Sequence, residues 1–315
     1  MKTMPVTPDD LRRSVLAVPP LARNADLSLN KAANQALVKH LEAGGVSTLM
    51  YGGNANFYNI GAGEYPAVLD MLEEITGAQT WVIPSVGPDF GRALDQAKIL
   101  RDRDFPTAMM LPLQFPGTPE GSENGIRRFV DAFGKPAIVY VKNEGVLNPE
   151  NVARLVDDGL VAGIKYAIVR EDPRKDAYLE ELVKLVDRSY IISGIGERPA
   201  IVHLRDWGLN GFTSGSVCVG PAGSMALLRA LKAKDYEQAE KIRANYIALE
   251  DLRDGLSPIR VLHEAVTLGG IGDMGPILPM LSNIGAEHHA AIQKAAKELL
   301  AYNAQMLAGA EKVPA

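Results

Sequence analysis

Ala137-Ile138-Val139-Tyr140-Val141, a helical stretch opened by Asn148-Pro149, then Val161-Ala162-Gly163-Ile164-Lys165: this segment reads as strand, helix, strand. The two apolar runs are short and rich in Val and Ile, the pattern of strands buried on both faces. Proline is tolerated in the first turn of a helix, so Asn148-Pro149 is a start signal, and the helix runs to about Asp158. A helix between two such strands predicts that the strands pair in parallel.

The same unit recurs on both sides. Upstream, strands are expected at 15–18, 46–51, 80–84 and 107–111, with helices at 28–43, 64–76, 91–103 and 120–133. Ser28 is the expected cap of the first of these helices, and Gly44-Gly45 ends it. Downstream, strands are expected at 190–192 and 211–214, with helices at 176–187, 199–207 and 222–232. Eight strand–helix units in about 230 residues predict an α/β fold, a closed (β/α)8 TIM barrel. An open doubly wound sheet would need a phosphate-cradling glycine loop after its first strand, whereas this one runs into Pro19-Pro20.

From Asp235 the pattern is helical throughout, at 236–253, 257–268 and 287–308, which predicts a C-terminal three-helix appendage. The chain is therefore divided into a barrel catalytic domain, 1–234, and a helical region, 235–315. The glycine-rich link from Gly269 to Pro276 follows no strand and reads as a connector rather than a phosphate site.

The 33 basic and 38 acidic residues leave a formal charge of −5 with no basic block, which argues against nucleic-acid and membrane partners. The polar N-terminus, with Pro5 and Pro8, and the lack of any apolar run of ~18 residues predict a cytoplasmic protein. The single cysteine, Cys218, excludes an intramolecular disulfide; its setting of Ser216, Val217 and Val219 predicts a buried, inert thiol.

In a (β/α)8 barrel the active site lies at the C-terminal strand ends. Those ends here carry Gly52-Gly53-Asn54, Tyr140, Lys165, Ser193-Gly194 and Ser214. Lys165 is costly to bury while charged; desolvation would favour the neutral amine that attacks carbonyls. A lysine snorkelling outward or paired to a carboxylate fits the same spacing. Tyr140 ends the neighbouring strand and is either a proton shuttle or a core tyrosine with its hydroxyl at the rim. Lys142 reads as pointing outward, with a cation serving the site as the alternative. His40, His203, His263 and the adjacent His288-His289 fall on helices, away from strand ends, so no metal is expected.

These residues resemble the dihydrodipicolinate synthase/N-acetylneuraminate lyase family. Gly163-Ile164-Lys165 is similar to the family segment whose lysine forms the Schiff base. Ile138-Val139-Tyr140-x-x-Asn143, Ser193-Gly194, and Gly211-Phe212-Thr213-Ser214 leading to Pro221 are similar to the ends of strands five, seven and eight. The resemblance implies catalysis by Lys165 and Tyr140, with Gly52, Gly53, Asn54, Ser193, Gly194 and Ser214 around the substrate. It also implies a homotetramer built from dimers, acting on a small keto acid without metal or organic cofactor.

Three departures set the chain apart from the lysine-pathway synthases. The family's carboxylate loop, usually G-x-x-G-E, reads Gly52-Gly53-Asn54-Ala55-Asn56. Leu113-Gln114 replaces the aromatic hydroxyls after the strand-four proline, and Glu144-Gly145-Val146 lacks the expected arginine. The expectation is a Schiff-base lyase, aldolase or dehydratase for a 2-keto acid or sugar-acid derivative. The alternative is a catalytically altered barrel that binds or senses a small keto-acid metabolite.

Overall fold

The computed structural model describes residues 1–310. Eight parallel strands close in chain order into one barrel: β1 (Leu16–Ala17), β2 (Thr48–Tyr51), β3 (Trp81–Val86), β4 (Met109–Met110), β5 (Ala137–Val141), β6 (Val161–Tyr166), β7 (Ile191–Ser193) and β8 (Gly211–Ser214). Closure is carried by β1, whose Leu16 lies opposite Thr48 on one side and Thr213 on the other. Every residue of β2, β3 and β6 is buried, which explains why these strands read as continuous apolar runs rather than alternating ones.

A short helix, α1 (Pro8–Leu11), precedes the barrel. The Thr7 side chain caps it, and Asp10 returns the bond to the Thr7 N–H. Leu11 is fully buried against Gly163; a Cβ there would lie 2.7 Å from a Leu11 methyl carbon. Gly163 therefore admits this plug beside β6.

The outer helices are α2 (Lys31–Ala43), α3 (Tyr65–Ile75), α4 (Phe90–Arg101), α5 (Pro119–Phe133), α6 (Pro149–Asp157), α7 (Ala177–Leu185), α8 (Glu197–Arg205) and α9 (Pro221–Lys232). Helix α2 starts later than expected. Asn30, not Ser28, caps it by accepting from the Ala33 N–H, while Ser28 bonds Asp26 in the preceding turn.

The expected single helix at 236–253 is two, α10 (Tyr236–Arg243) and α11 (Ile247–Gly255), so the C-terminal region has four α-helices among the described residues, with α12 (Pro258–Gly269) and α13 (His289–Ala310). The break has a local cause: the Asn245 side chain donates to the Lys241 and Ile242 carbonyls, and buried Tyr246 is anchored to the Gly220 carbonyl. Residues 311–315, the end of the expected appendage, lie outside the described residues. Helix α13 packs on α9, where Asn303 accepts from the Ala222 N–H at 2.8 Å. Among the described residues, no helix is long and apolar enough to cross a membrane.

Candidate active site

The C-terminal strand ends surround a cavity of about 140 Å³, lined by Gly53, Asn54, Tyr140, Lys142, Lys165, Gly194, Thr213, Ser214, Arg253 and Asp254, among others. A larger, mostly apolar groove of about 600 Å³ adjoins it between α4 and α5 and shares Tyr140. The smaller cavity concentrates the titratable groups, and its polar lining suits orientation of a small polar ligand.

Lys165 opposes Tyr140 in the β5–β6 register and is 4% exposed. Its Nζ stands 4.6 Å from the Tyr140 ring centroid. No carboxylate pairs with it among the described residues. Burial, helped by the charge of Lys142, lowers its pKa to about 7. Tyr140 shifts the other way: burial, with Tyr58 nearby, raises its phenol above the ordinary value and keeps it protonated.

Gly194 makes room for the lysine. A Cβ at that position would lie 2.9 Å from Lys165 Cγ, 2.8 Å from the Tyr166 carbonyl oxygen and 2.7 Å from the Ala167 Cβ. Its N–H donates to the Tyr166 carbonyl at 2.6 Å, which draws the end of β7 onto β6.

Across the cavity, Gly53 and Asn54 follow β2. Their backbone N–H groups have no protein acceptor among the described residues, because this turn closes through the Asn56 and Phe57 N–H groups instead. One side-chain N–H of Asn54 donates to the Val18 carbonyl at 2.9 Å. Free N–H groups at a strand end suit a carboxylate.

Two residues expected around the substrate are not among those lining the cavity. Ser193 is fully buried, with its hydroxyl 2.7 Å from His203 Nδ1, and Gly52 packs under Ser85 and Met109. Ser214 lines the cavity, but its hydroxyl donates to Glu197 at 2.7 Å and accepts from the Val217 N–H. Lys142 corrects the sequence reading: it faces the cavity, because it lies two residues beyond Tyr140 and so shares its side of the strand.

A buried polar network supports the rim. Glu197, fully buried at the start of α8, accepts from Ser214 and Ser224. Its N–H donates to Glu250 at 3.0 Å. Burial raises the pKa of both carboxyls, and Glu250 reaches about 8 even though Arg253 lies 3.3 Å away and pulls it down. Arg253 also donates to the Ile195 carbonyl at 2.8 Å and to Asp254 at 2.9 Å.

The dihydrodipicolinate synthetase family model matches residues 13–299. The chain belongs to that family. It is therefore a carbon–carbon or carbon–oxygen lyase of the class I aldolase type. Among relatives, a probable 5-dehydro-4-deoxyglucarate dehydratase of Rhizobium rhizogenes is 24% identical, covering 91% of this chain and 97% of its own. The dihydrodipicolinate synthase of Bacillus clausii superimposes with a TM-score of 0.80 at 20% identity, over 93% of this chain and 98% of its own. A prophage protein of the same family from E. coli K12, solved in complex with pyruvate, gives 0.80 at 20% identity, over 90% and 98%.

Glu197, Glu250, Arg253 and Asp254 were not among the residues expected from the sequence. Glu197 had a usable signal, since Gly194-Ile195-Gly196-Glu197 directly follows β7 at the end of the barrel where sites form. Arg253 and Asp254 had none: they arrive from α11, more than 50 residues further along the chain than Gly196.

Proposed function

We propose that this chain is a Schiff-base lyase for a 2-keto acid or sugar-acid derivative, with Lys165 as nucleophile and Tyr140 as proton shuttle. The observation that carries this reading is the buried, unpaired Lys165 amine, lowered to about 7 at the barrel mouth. Near neutral pH a large share of it is the neutral amine.

The Lys165 nitrogen bonds to the keto carbon while the carbonyl oxygen takes a proton from Tyr140. The nitrogen then loses a proton, and the new hydroxyl leaves as water after protonation, giving a protonated imine. That imine accepts an electron pair from the adjacent carbon. In dehydration the pair comes from a C–H bond, and a hydroxyl on the next carbon then departs. In aldol cleavage it comes from the C–C bond, while the hydroxyl on the next carbon gives up its proton and becomes a carbonyl; the resulting enamine is then protonated on carbon back to the imine. Water finally hydrolyses the imine and frees Lys165. The substrate carboxylate is held by the Gly53 and Asn54 N–H groups.

The substrate class is supported by the relatives: the Rhizobium rhizogenes protein is named as a sugar-acid dehydratase, and the E. coli one was solved with pyruvate. The same reading makes the protein a cytoplasmic homo-oligomer, a tetramer built from dimers.

Borohydride reduction with pyruvate tests the mechanism. The expected result is a mass adduct on the peptide carrying Lys165, abolished by Lys165→Ala. An adduct on another lysine would overturn it, and trapping without turnover of any 2-keto sugar acid would favour a binding protein instead.

A further inference from the structure

We propose that the irregular segment between α12 and α13 is a strap that keeps the turn after β2 in shape, and that Asn56 is the positioning residue through which it acts. The inference rests on the Schiff-base reading, in which the Gly53 and Asn54 N–H groups hold the carboxylate next to the keto carbon. It adds what keeps those groups aimed.

The turn has little to hold its own shape. It opens on Gly52-Gly53, and glycine has the most backbone freedom to lose on ordering. Two hydrogen bonds close it, from the Asn56 N–H to the Gly53 carbonyl at 2.9 Å and from the Phe57 N–H to the Gly52 carbonyl at 3.2 Å. Asn56 sits in the left-handed region with φ 55°, which asparagine tolerates better than most residues but does not prefer. An anchor outside the turn therefore decides how firmly Asn56 stays there.

That anchor is the strap. The buried Asn56 side chain donates to the Leu278 carbonyl at 3.3 Å and accepts from the Asn59 side chain at 2.9 Å. Asn54 ties the other side of the turn to the Val18 carbonyl, just past β1, so the two free N–H groups lie between two anchors.

The strap is itself fixed, although residues 270–285 form neither α-helix nor strand. Met274 is fully buried, and its carbonyl accepts from the Arg23 N–H at 3.0 Å. The Asn283 side chain donates to the Gly275 carbonyl and accepts from the Ile277 N–H, both at 2.9 Å. Gly275 has φ 65°, and a Cβ there would lie 2.0 Å from the Arg23 carbonyl oxygen. The glycine of this link thus serves close backbone approach. Strap and turn leave a void of only about 10 Å³ beside Asn54, Asn56 and Leu278, so a shift in one displaces the other.

The test is borohydride trapping of the full chain with pyruvate and with hydroxyacetone, a ketone without a carboxylate. Asn56→Gly keeps the left-handed backbone and removes the side-chain anchor. It is expected to lower trapping efficiency with pyruvate roughly 3- to 10-fold, the loss of about one hydrogen bond, through a higher half-saturating concentration. The efficiency with hydroxyacetone should stay close to the parent's. Asn283→Ala changes an exposed residue outside the cavity and should act in the same sense. The double variant should be no worse than the larger single loss, because both changes cut one brace. Equal losses for both ketones, no loss, or losses that multiply in the double variant would overturn the proposal. If neither ketone is trapped by the parent chain, the Schiff-base reading fails, and pyruvate binding by calorimetry decides separately: weaker binding in Asn56→Gly upholds the strap, and unchanged binding overturns it.

Discussion

The Lys165 ammonium nitrogen lies 4.6 Å from the Tyr140 ring centroid, over the ring face, and no hydrogen bond joins it to the Tyr140 hydroxyl. An aromatic face stabilises the cation modestly, while burial and the Lys142 charge oppose it. Burial prevails, since the amine is brought to about 7. The geometry also leaves the phenol free for an oxygen of the ligand.

That shift fixes a pH profile. Imine formation with pyruvate should rise through about pH 7 as Lys165 deprotonates. Lys142, Tyr140, Arg253 and Asp254 share its cavity. Removing the Lys142 charge in Lys142→Met should move the rising limb to higher pH, read from trapping rates between pH 5 and 10. An unmoved limb would mean that Lys142 does not act on the amine.

Burying that lysine should also cost stability. The native form binds fewer protons than the unfolded chain between about pH 7 and the unfolded value near 10.4, so stability rises with pH across that window. Lys165→Met should therefore be more stable than the parent by roughly 2–4 kcal/mol at pH 7, with the gap closing toward pH 10. Urea denaturation at both pH values measures it.

Gly194→Ala should abolish trapping. The added methyl would fall within 3 Å of the Lys165 side chain and of the Tyr166 carbonyl, and the backbone cannot yield there. Circular dichroism would verify the fold. A folded variant that is trapped normally would show that the approach is looser than described.

Glu250→Gln should be tolerated, because a carboxyl brought up to about 8 is mostly protonated at neutral pH. A raised pKa contributes stability that is full below the unfolded value near 4.3 and lost as pH rises through about 8. The variant should therefore match the parent at pH 4 and exceed it at pH 8 in thermal melts.

Synthesis of dihydrodipicolinate from pyruvate and aspartate semialdehyde should be negligible. Leu113 lines the apolar groove rather than the cavity, and Glu144 pairs with Arg170 where the synthases carry their arginine. Turnover of ~1 s⁻¹ or more would refute this.

The barrel was legible because its strands are almost wholly buried and its helices are amphipathic, so each element announces itself within a few residues. Lys165 and Tyr140 were legible for the same reason: a charged or phenolic residue near the end of an apolar strand stands out locally. The end of α10 was not, since Asn245 and Tyr246 break the helix through partners that helical periodicity does not register.

Sequence alone determined the order of strands and helices, the family resemblance and the residues at the strand ends. Only the tertiary structure decided which of those residues share one cavity. It turned Lys142 inward, occupied the hydroxyls of Ser193 and Ser214 with His203 and Glu197, and brought Arg253 from α11 to the rim. The physical reason is that strand and helix patterns depend on near neighbours in the chain. The direction of a side chain, its desolvation and its charge partners depend on groups that folding gathers from distant segments.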